Sequence, residues 1–330
     1  MQLFGGRFNI NLSTQKVNGA YGSIRFGTDK FGNQVAIKTG APNSVTESKI
    51  MLHLSSLDCV PKLLWFGTYL GPTIVMTKHG RPLSELFGER ENERTESKKA
   101  EALSQIMDSA ISAFSSIHSL GIVHRDVKPD NLLICEMFWS SLLQTNFCET
   151  ETNQSEKHAY DISSRDIDAW AQKHAGSVSQ IVTVIDFGMS TVRSDLDLDL
   201  NQNQKSTALI GTPRFASLNA HLCTELDARD DMESLGYSIL SMCAPLPWDS
   251  ARSETQIEKC KLSWSVGTTR RAKYKVLSIT NSNKNGPTVI VSQELLFVAA
   301  RAARLIEHAQ LTEFGCNSTV VVKEYENQNS

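Results

Sequence analysis

The sequence predicts an α+β protein with two lobes, a small strand-rich lobe followed by a larger, mainly helical lobe. In residues 22–77, apolar and polar residues alternate with a period of two and are interrupted by glycines. A long stretch with helical spacing of apolar residues follows at 97–121. The chain has 330 residues, which is enough to bury a core in each lobe.

The strand-rich lobe contains two pairs of predicted strands. Residues 22–40 read GSIRFGTDKFGNQVAIKTG, in which the turn residues DKFGN join two strands. Val35, Ala36 and Ile37 form the apolar part of the second strand, and we expect it to be buried. Two further strands are predicted within residues 61–77, PKLLWFGTYLGPTIVMT.

A helix is predicted between these strand pairs, at residues 44–57. Ile50, Leu54 and Leu57 share one side of it, and Ser44 is the expected N-terminal cap. The next segment, KHGRPL at 78–83, is expected to be an irregular connector because its glycine and proline interrupt regular structure.

The second lobe is predicted to begin with the amphipathic helix at 97–121, which ends at Gly121. We place the two lobes of a single domain at 1–79 and 80–330. A divergent polar insertion at about 136–178 interrupts the second lobe, with a candidate short helix at 163–174. We expect the insertion to be a surface excursion; the alternative is translated non-coding sequence. One more helix is predicted in SQELLFVAARAARLIEHAQ near the C-terminus.

Composition and charge exclude several classes of protein. The net charge is −3, from 33 basic and 36 acidic residues, so nothing global favours nucleic acid or an anionic membrane. The 7 cysteines include no C-x-x-C pair, which favours reduced thiols over disulfides or a zinc site. The N-terminus does not have the pattern of a signal peptide, and no apolar run reaches the ~18 residues of a membrane span. We therefore expect a cytoplasmic or nuclear monomer that binds neither nucleic acid nor membrane.

Polar residues that could carry chemistry concentrate in GIVHRDVKPDNLLI, residues 121–134. Asp126, Lys128, Asp130 and Asn131 lie there within six residues, between two apolar runs. His-Arg-Asp followed five positions later by Asn matches the H-R-D-x-x-x-x-N loop of protein kinases.

Two more motifs follow the order found in protein kinases. VAIK at 35–38 matches the strand that carries the kinase lysine, and VIDFG at 184–188 contains the metal-binding D-F-G. Each motif alone is a weak signal, but their joint order is specific. The chain therefore resembles protein kinases, which implies the bilobal protein-kinase fold, with ATP and Mg²⁺ as cofactors and protein substrates as partners.

The resemblance assigns roles that suit phosphoryl transfer, in which the protein mainly positions groups and neutralises charge. Asp126 would orient the substrate hydroxyl or accept its proton, and Lys128 would neutralise the γ-phosphate. Asn131 and Asp186 would hold Mg²⁺, which prefers oxygen ligands. For Asp130 we expect only a local structural role.

The same resemblance implies a nucleotide site. Lys38 would bind the α- and β-phosphates and pair with Glu47 on the following helix. In VNGAYGSI, Gly19 and Gly22 fill the second and third positions of the phosphate loop, while Val17 replaces the first glycine. The residues expected around the base are Val35, Ala36, the gatekeeper Met76, the hinge 77–79 with His79, Leu133 and Ile185.

Motifs beyond the shared kinase set resemble the casein kinase 1 family more closely. They are GTPRFASLNAHL at 211–222, RDDMESLGYSILSM at 229–242 and LPWDS at 246–250. A Ser-x-Asn element at 217–219 replaces the usual A-P-E, and tau-tubulin and vaccinia-related kinases share many of these features. Lysine two positions after Asp126 resembles serine/threonine kinases and not tyrosine kinases.

This closer resemblance implies a serine/threonine kinase for acidic or already phosphorylated substrates. Arg214 and Lys273 would form an anion pocket, flanked by Arg270 and Arg271, although these basic residues could also be a solvated helix face. Asp231 would hold the backbone of the 124–125 loop. The rival hypothesis is an inactive pseudokinase that binds ATP or acts as a scaffold, which the valine in the phosphate loop and the long insertion favour.

Overall fold

A curled antiparallel sheet forms the first lobe of the computed structural model, which describes residues 2–3, 6–10, 17–19, 22–69, 71–86, 96–144, 180–193, 208–266 and 293–311. Its strands are β1 (Gln2–Leu3), β2 (Phe8–Ile10), β3 (Val17–Gly19), β4 (Gly22–Asp29), β5 (Gln34–Thr39), β6 (Leu63–Thr68) and β7 (Pro72–Thr77). Their order in the sheet is β1-β2-β4-β5-β7-β6, and β3 pairs with β4.

The two faces of this sheet have different partners because successive side chains of a strand point in opposite directions. Val35 and Ile37 pack on one face, in a small core with Phe8, Ile10 and Val75. Ala36 lies on the other face, directly opposite Met76, where both join the main core. The prediction that Val35 lines the base together with Ala36 is therefore wrong.

Helix α1 (Ser44–His53) lies between the strand pairs, as predicted, but its start differs from the expectation. Ser44 is the first helical residue, and its hydroxyl donates to Ala41 O at 2.6 Å instead of accepting from the helix. Ile50 on the buried side of α1, and Leu54 directly after the helix, are fully buried in the main core.

The second lobe is built around the long helix α2 (Glu96–Ser119), as the apolar spacing predicts. Gly121 follows it with φ of 75° and donates its N–H to His118 O at 2.9 Å, which ends the helix. The remaining described helices are α3 (Glu136–Gln144), α4 (Leu218–His221), α5 (Ala228–Cys243), α6 (Glu254–Val266) and α7 (Gln293–Leu311). Helix α7 packs against both α2 and α5.

A three-stranded sheet joins the connector between the lobes to the two strands that flank the insertion. Its order is β11 (Val182–Val184), β10 (Leu132–Ile134) and β8 (Arg81–Pro82). The connector predicted to be irregular thus contains a short strand. Strands β9 (Ile122–Val123) and β12 (Thr191–Val192) pair nearby.

The insertion lies between the paired strands β10 and β11. Its first part is helix α3, whose Trp139 is buried under the guanidinium of Arg81 at 4.3 Å from the ring centroid. The candidate helix at 163–174 lies outside the described residues. Within the described part of the chain, every helix is too short or too polar to cross a bilayer.

Candidate active site

Lys38 forms ion pairs with two carboxylates from different parts of the chain. Its Nζ lies 2.6 Å from Glu47 Oε2 on α1 and 2.7 Å from Asp186 Oδ1, which follows β11. Burial alone would lower the pKa of Lys38, but the two carboxylates outweigh burial and raise it. Glu47 is the partner expected from the sequence, and burial raises its pKa. The site therefore holds a permanently charged ammonium between the lobes.

Asp126 sits in a triangle of polar side chains. Lys128 Nζ donates to Asp126 Oδ2 at 2.7 Å, and the hydroxyl of Thr212 donates to Asp126 Oδ1 at 2.7 Å. Lys128 Nζ also donates to Thr212 Oγ1 at 3.0 Å. Because each carboxylate oxygen has a partner, the side chain of Asp126 is held in one orientation.

Thr212 is a site residue that the sequence reasoning missed. The only signal was its place in the GTPRF motif, which identified a resemblance without giving Thr212 a contact. Gly211 precedes it with φ of 96°, and a Cβ there would lie 2.5 Å from Arg125 O. Glycine is therefore required for the chain to bring Thr212 to Asp126.

Asp231 on α5 anchors the loop that carries Asp126, as the sequence predicts. Its carboxylate accepts the backbone N–H groups of His124 at 2.7 Å and of Arg125 at 2.8 Å, and it lies 2.8 Å from His118 Nε2. Burial would raise the pKa of Asp231, but its contact with His118 and the backbone donors lower it. Arg125 has φ of 67°, a left-handed conformation that costs about 1–3 kcal/mol and needs such an anchor.

The strands on either side of the insertion bring Asp186 next to Asn131. Leu132 pairs with Val184, and Ile185 N–H donates to Asn131 O at 3.1 Å. The 55 positions between the two predicted metal ligands therefore do not separate them in space.

Asn131 and Asp186 present the oxygen ligands that Mg²⁺ prefers. Asn131 Nδ2 donates to Asp126 O at 2.9 Å, which leaves its amide oxygen as the free ligand atom. Burial would raise the pKa of Asp186, but Lys38 lowers it, so the carboxylate stays ionised. Among the described residues, no cluster of three or more His, Cys, Asp or Glu suits a metal, so phosphate oxygens would have to complete the shell.

The predicted phosphate loop is described only in part. Gly19 pairs with Gly22 at the end of the β3–β4 hairpin, and Val17 pairs with Ile24. Gly22 has φ of 119°, and a Cβ there would lie 2.7 Å from Thr39 O. The third glycine position thus requires glycine, while the tip of the loop at 20–21 lies outside the described residues.

With the exception of Val35, the predicted base-binding residues lie where the two lobes meet. Met76 is buried opposite Ala36, and Leu133 is half-buried between the buried Leu132 and Ile134. Ile185 is also half-buried and precedes Asp186. Their placement is compatible with the predicted roles, which stay predictions.

His79 ends the predicted hinge, and both of its ring nitrogens have a hydroxyl neighbour. Nε2 lies 3.0 Å from Thr77 Oγ1 and Nδ1 lies 3.2 Å from Thr183 Oγ1, which link the hinge to β11. Burial and the nearby Lys62 lower the pKa of His79, so the ring stays neutral. The backbone N–H of Lys78 is taken by Gln34 O at 3.2 Å.

The predicted anion pocket is only partly described, and its arginine already has a partner. Arg214 forms a two-point ion pair with Asp249, with Nε–Oδ1 at 2.7 Å and Nη2–Oδ2 at 2.8 Å. Lys273 and its basic neighbours lie outside the described residues, so the pocket stays a prediction. Asp130 accepts the hydroxyl of Ser84 at 2.7 Å, in keeping with a local structural role.

Comparison with known protein families identifies the family of the chain. The family model described as the protein kinase domain matches residues 18–295, which is more than half of the chain. The matched region spans both lobes and contains Lys38, Glu47, Asp126, Asn131 and Asp186, while Val17 lies one residue before it.

Proposed function

The chain belongs to the protein kinase family, and on that premise we propose that it transfers the γ-phosphoryl group of ATP to serine or threonine hydroxyls of proteins. The observation that carries this proposal is the triangle of Asp126, Lys128 and Thr212. It pairs a carboxylate that can accept a hydroxyl proton with an ammonium that can stabilise negative charge.

Each part of the site has a task in this reaction. Asp126 orients the attacking hydroxyl and takes its proton, while Lys128 stabilises the charge on the transferred group. Lys38, fixed by Glu47, binds the phosphates of the nucleotide. When bound by Asn131 and Asp186, Mg²⁺ supplies further charge neutralisation on the phosphate oxygens.

The alternative is a pseudokinase that binds ATP or a partner without turnover. The replaced first glycine, Val17, supports it, because that position belongs to the loop over the nucleotide. The buried polar contacts around Lys38 and Asp126 argue against a pseudokinase, because an inactive protein has no chemical need to maintain them.

For the substrate we propose acidic or already phosphorylated proteins, as the resemblance to casein kinase 1 suggests. Support comes from Arg214, which lies two residues after Thr212 and is half-exposed. Its guanidinium is exposed, and exposed ion pairs typically contribute only about 0.2–1 kcal/mol, so an acidic substrate can compete with Asp249 for it. We also propose that the protein acts in the cytoplasm or nucleus, on the basis of its cysteine usage, and that it is a monomer.

The test is transfer of label from γ-labelled ATP to casein in the presence of Mg²⁺, followed by phosphoamino-acid analysis. We expect phosphoserine or phosphothreonine from the wild type, and none from Asp126→Asn. Asp130→Asn is the matched control in the same loop and should stay active. ATP binding without any transfer by the wild type would favour the pseudokinase, and equal transfer by Asp126→Asn would refute the proposed mechanism.

A further inference from the structure

Lys261 on α6 is a fully buried lysine that the proposed chemistry does not use. Its Nζ donates to Pro213 O at 2.9 Å and to Ala216 O, and it lies 3.2 Å from His221 Nε2. All three of these polar contacts of the ammonium are thus made with residues between 213 and 221. This segment begins immediately after Thr212.

The surroundings of Lys261 show that its buried charge is unfavourable for stability. The Nζ lies 4.7 Å from the ring centroid of Tyr237 and 5.0 Å from that of Trp248, whose cation–π attraction offsets only part of the cost of burying the charge. Burial lowers the pKa of Lys261 to about 7, although Glu233 opposes this shift. An apolar side chain of similar volume would avoid this cost, so the hydrogen bonds of Lys261 call for another explanation.

Those hydrogen bonds fix a tight turn next to the catalytic triangle. Thr212 O accepts the N–H groups of both Phe215 and Ala216 at 2.9 Å, which closes the turn from 212 to 216. Lys261 holds the carbonyls near its two ends, at Pro213 and Ala216. Trp248 Nε1 donates to Arg214 O at 2.8 Å, so two buried side chains together hold three of the backbone carbonyls of the turn.

We propose that Lys261 is a positioning residue for the protein substrate, and that it acts by fixing the backbone turn 212–216. This inference rests on the proposed function, because it assigns the turn to the docking of the substrate chain beside Asp126. Lys261 itself is buried and touches neither nucleotide nor substrate. Replacing Lys261 should therefore make the turn and the position of Thr212 more mobile. Binding of the nucleotide should be unchanged.

The test compares Lys261→Met, which keeps the volume but removes the donors, with Lys259→Met, an exposed lysine on the same helix. For Lys261→Met we expect kcat/KM for casein to fall at least tenfold, while KM for ATP stays within twofold. Hydrogen exchange of the Phe215 and Ala216 amides should accelerate at least tenfold. The control variant should match the wild type in all three measurements.

Several outcomes would overturn the inference. One is an equal loss for casein and ATP, and another is unchanged exchange at Phe215 and Ala216. If the methionine variant does not fold, Lys261→Gln, which retains a polar side chain, replaces it in the same measurements. A wild type without transfer activity refutes the proposed function, whereas the exchange measurement still decides whether Lys261 fixes the turn.

Discussion

The hydroxyl of Thr212 donates a 2.7 Å hydrogen bond to Asp126 Oδ1, although the two residues lie 86 positions apart. Lys128 contacts both of them, so the segment at 211–216 and the loop at 124–131 share one polar cluster. The position of the substrate-side segment is thereby coupled to the orientation of the proposed catalytic carboxylate.

This coupling predicts that Thr212→Val is nearly inactive and that Thr212→Ser is close to wild type. A hydrogen bond to a charged group contributes about 1.5–3 kcal/mol, so its loss should lower kcat roughly 10- to 100-fold. Steady-state phosphorylation of casein measures the effect. Equal rates for the valine and serine variants would show that the hydroxyl has no role.

Removing the ammonium between the lobes should affect stability as well as activity. Lys38→Met leaves Glu47 and Asp186 as neighbouring carboxylates without their cation, which costs about 3–5 kcal/mol for a buried pair. We expect phosphoryl transfer to be abolished. Adding Glu47→Gln should recover part of the free energy of unfolding, measured in urea, but no activity. A double variant that is no more stable than Lys38→Met would contradict the ion-pair account.

Asp231, which anchors the loop at 124–125, should be sensitive to the loss of one carboxylate oxygen. Asp231→Asn keeps the shape but replaces an acceptor by a donor, so it can no longer accept from both His124 and Arg125. We expect a loss of about 1–3 kcal/mol in the free energy of unfolding and at least a tenfold fall in kcat. The exposed Glu225→Gln is the control, and wild-type kcat in Asp231→Asn would contradict the expectation.

Acidification should lower the stability of the protein through protonation of His221, which contacts Pro213 O and Lys261. Burial and the charge of Lys261 lower the pKa of His221 from 6.5 to about 4. Between these values the unfolded chain binds a proton that the folded protein does not, so stability falls as the pH falls through this window. The advantage of the wild type over His221→Gln should shrink by about 3 kcal/mol from pH 7 to pH 4. Urea unfolding at several pH values measures it, and a constant difference would refute the assignment.

Freeing Arg214 should increase the preference for acidic substrates. Asp249→Asn removes the carboxylate that pairs with its guanidinium, while the amide can still accept the N–H of Leu246. We expect kcat/KM for an acidic peptide to rise up to about fivefold, because an exposed ion pair is worth at most about 1 kcal/mol. A neutral peptide should show no change. If both peptides respond equally, Arg214 does not recognise the acidic group.

Local patterns in the sequence were sufficient to predict part of the fold, but not β1, β2, β8 or α6. The period of two identified β4 and β5, and the turn between them is closed by Asp29, which accepts from Phe31 and Asn33. Helical spacing identified α2 and its end near Gly121. The order of the motifs identified Lys38 and Asp126, because each of these residues lies within a short, recognisable motif.

Other features depend on contacts between distant segments, which a local pattern does not encode. Thr212 reaches Asp126 only because Gly211 permits a close approach to Arg125, and the pairing of Arg214 with Asp249 depends on a turn 35 positions later. The error at Val35 was of a different kind, because it ignored the alternation of side chains along a strand. The casein kinase 1 subfamily stays a prediction.

The location of the insertion has a practical consequence. Ile134 pairs with Val182, so the strands on either side of the insertion lie next to each other, and one predicted metal ligand lies on each side of it. Cutting within 145–179 would give one fragment with Asn131 and another with Asp186, neither of which contains both predicted ligands. Two such fragments, each fused to one of a pair of interacting proteins, would form a split enzyme whose signal depends on reassembly.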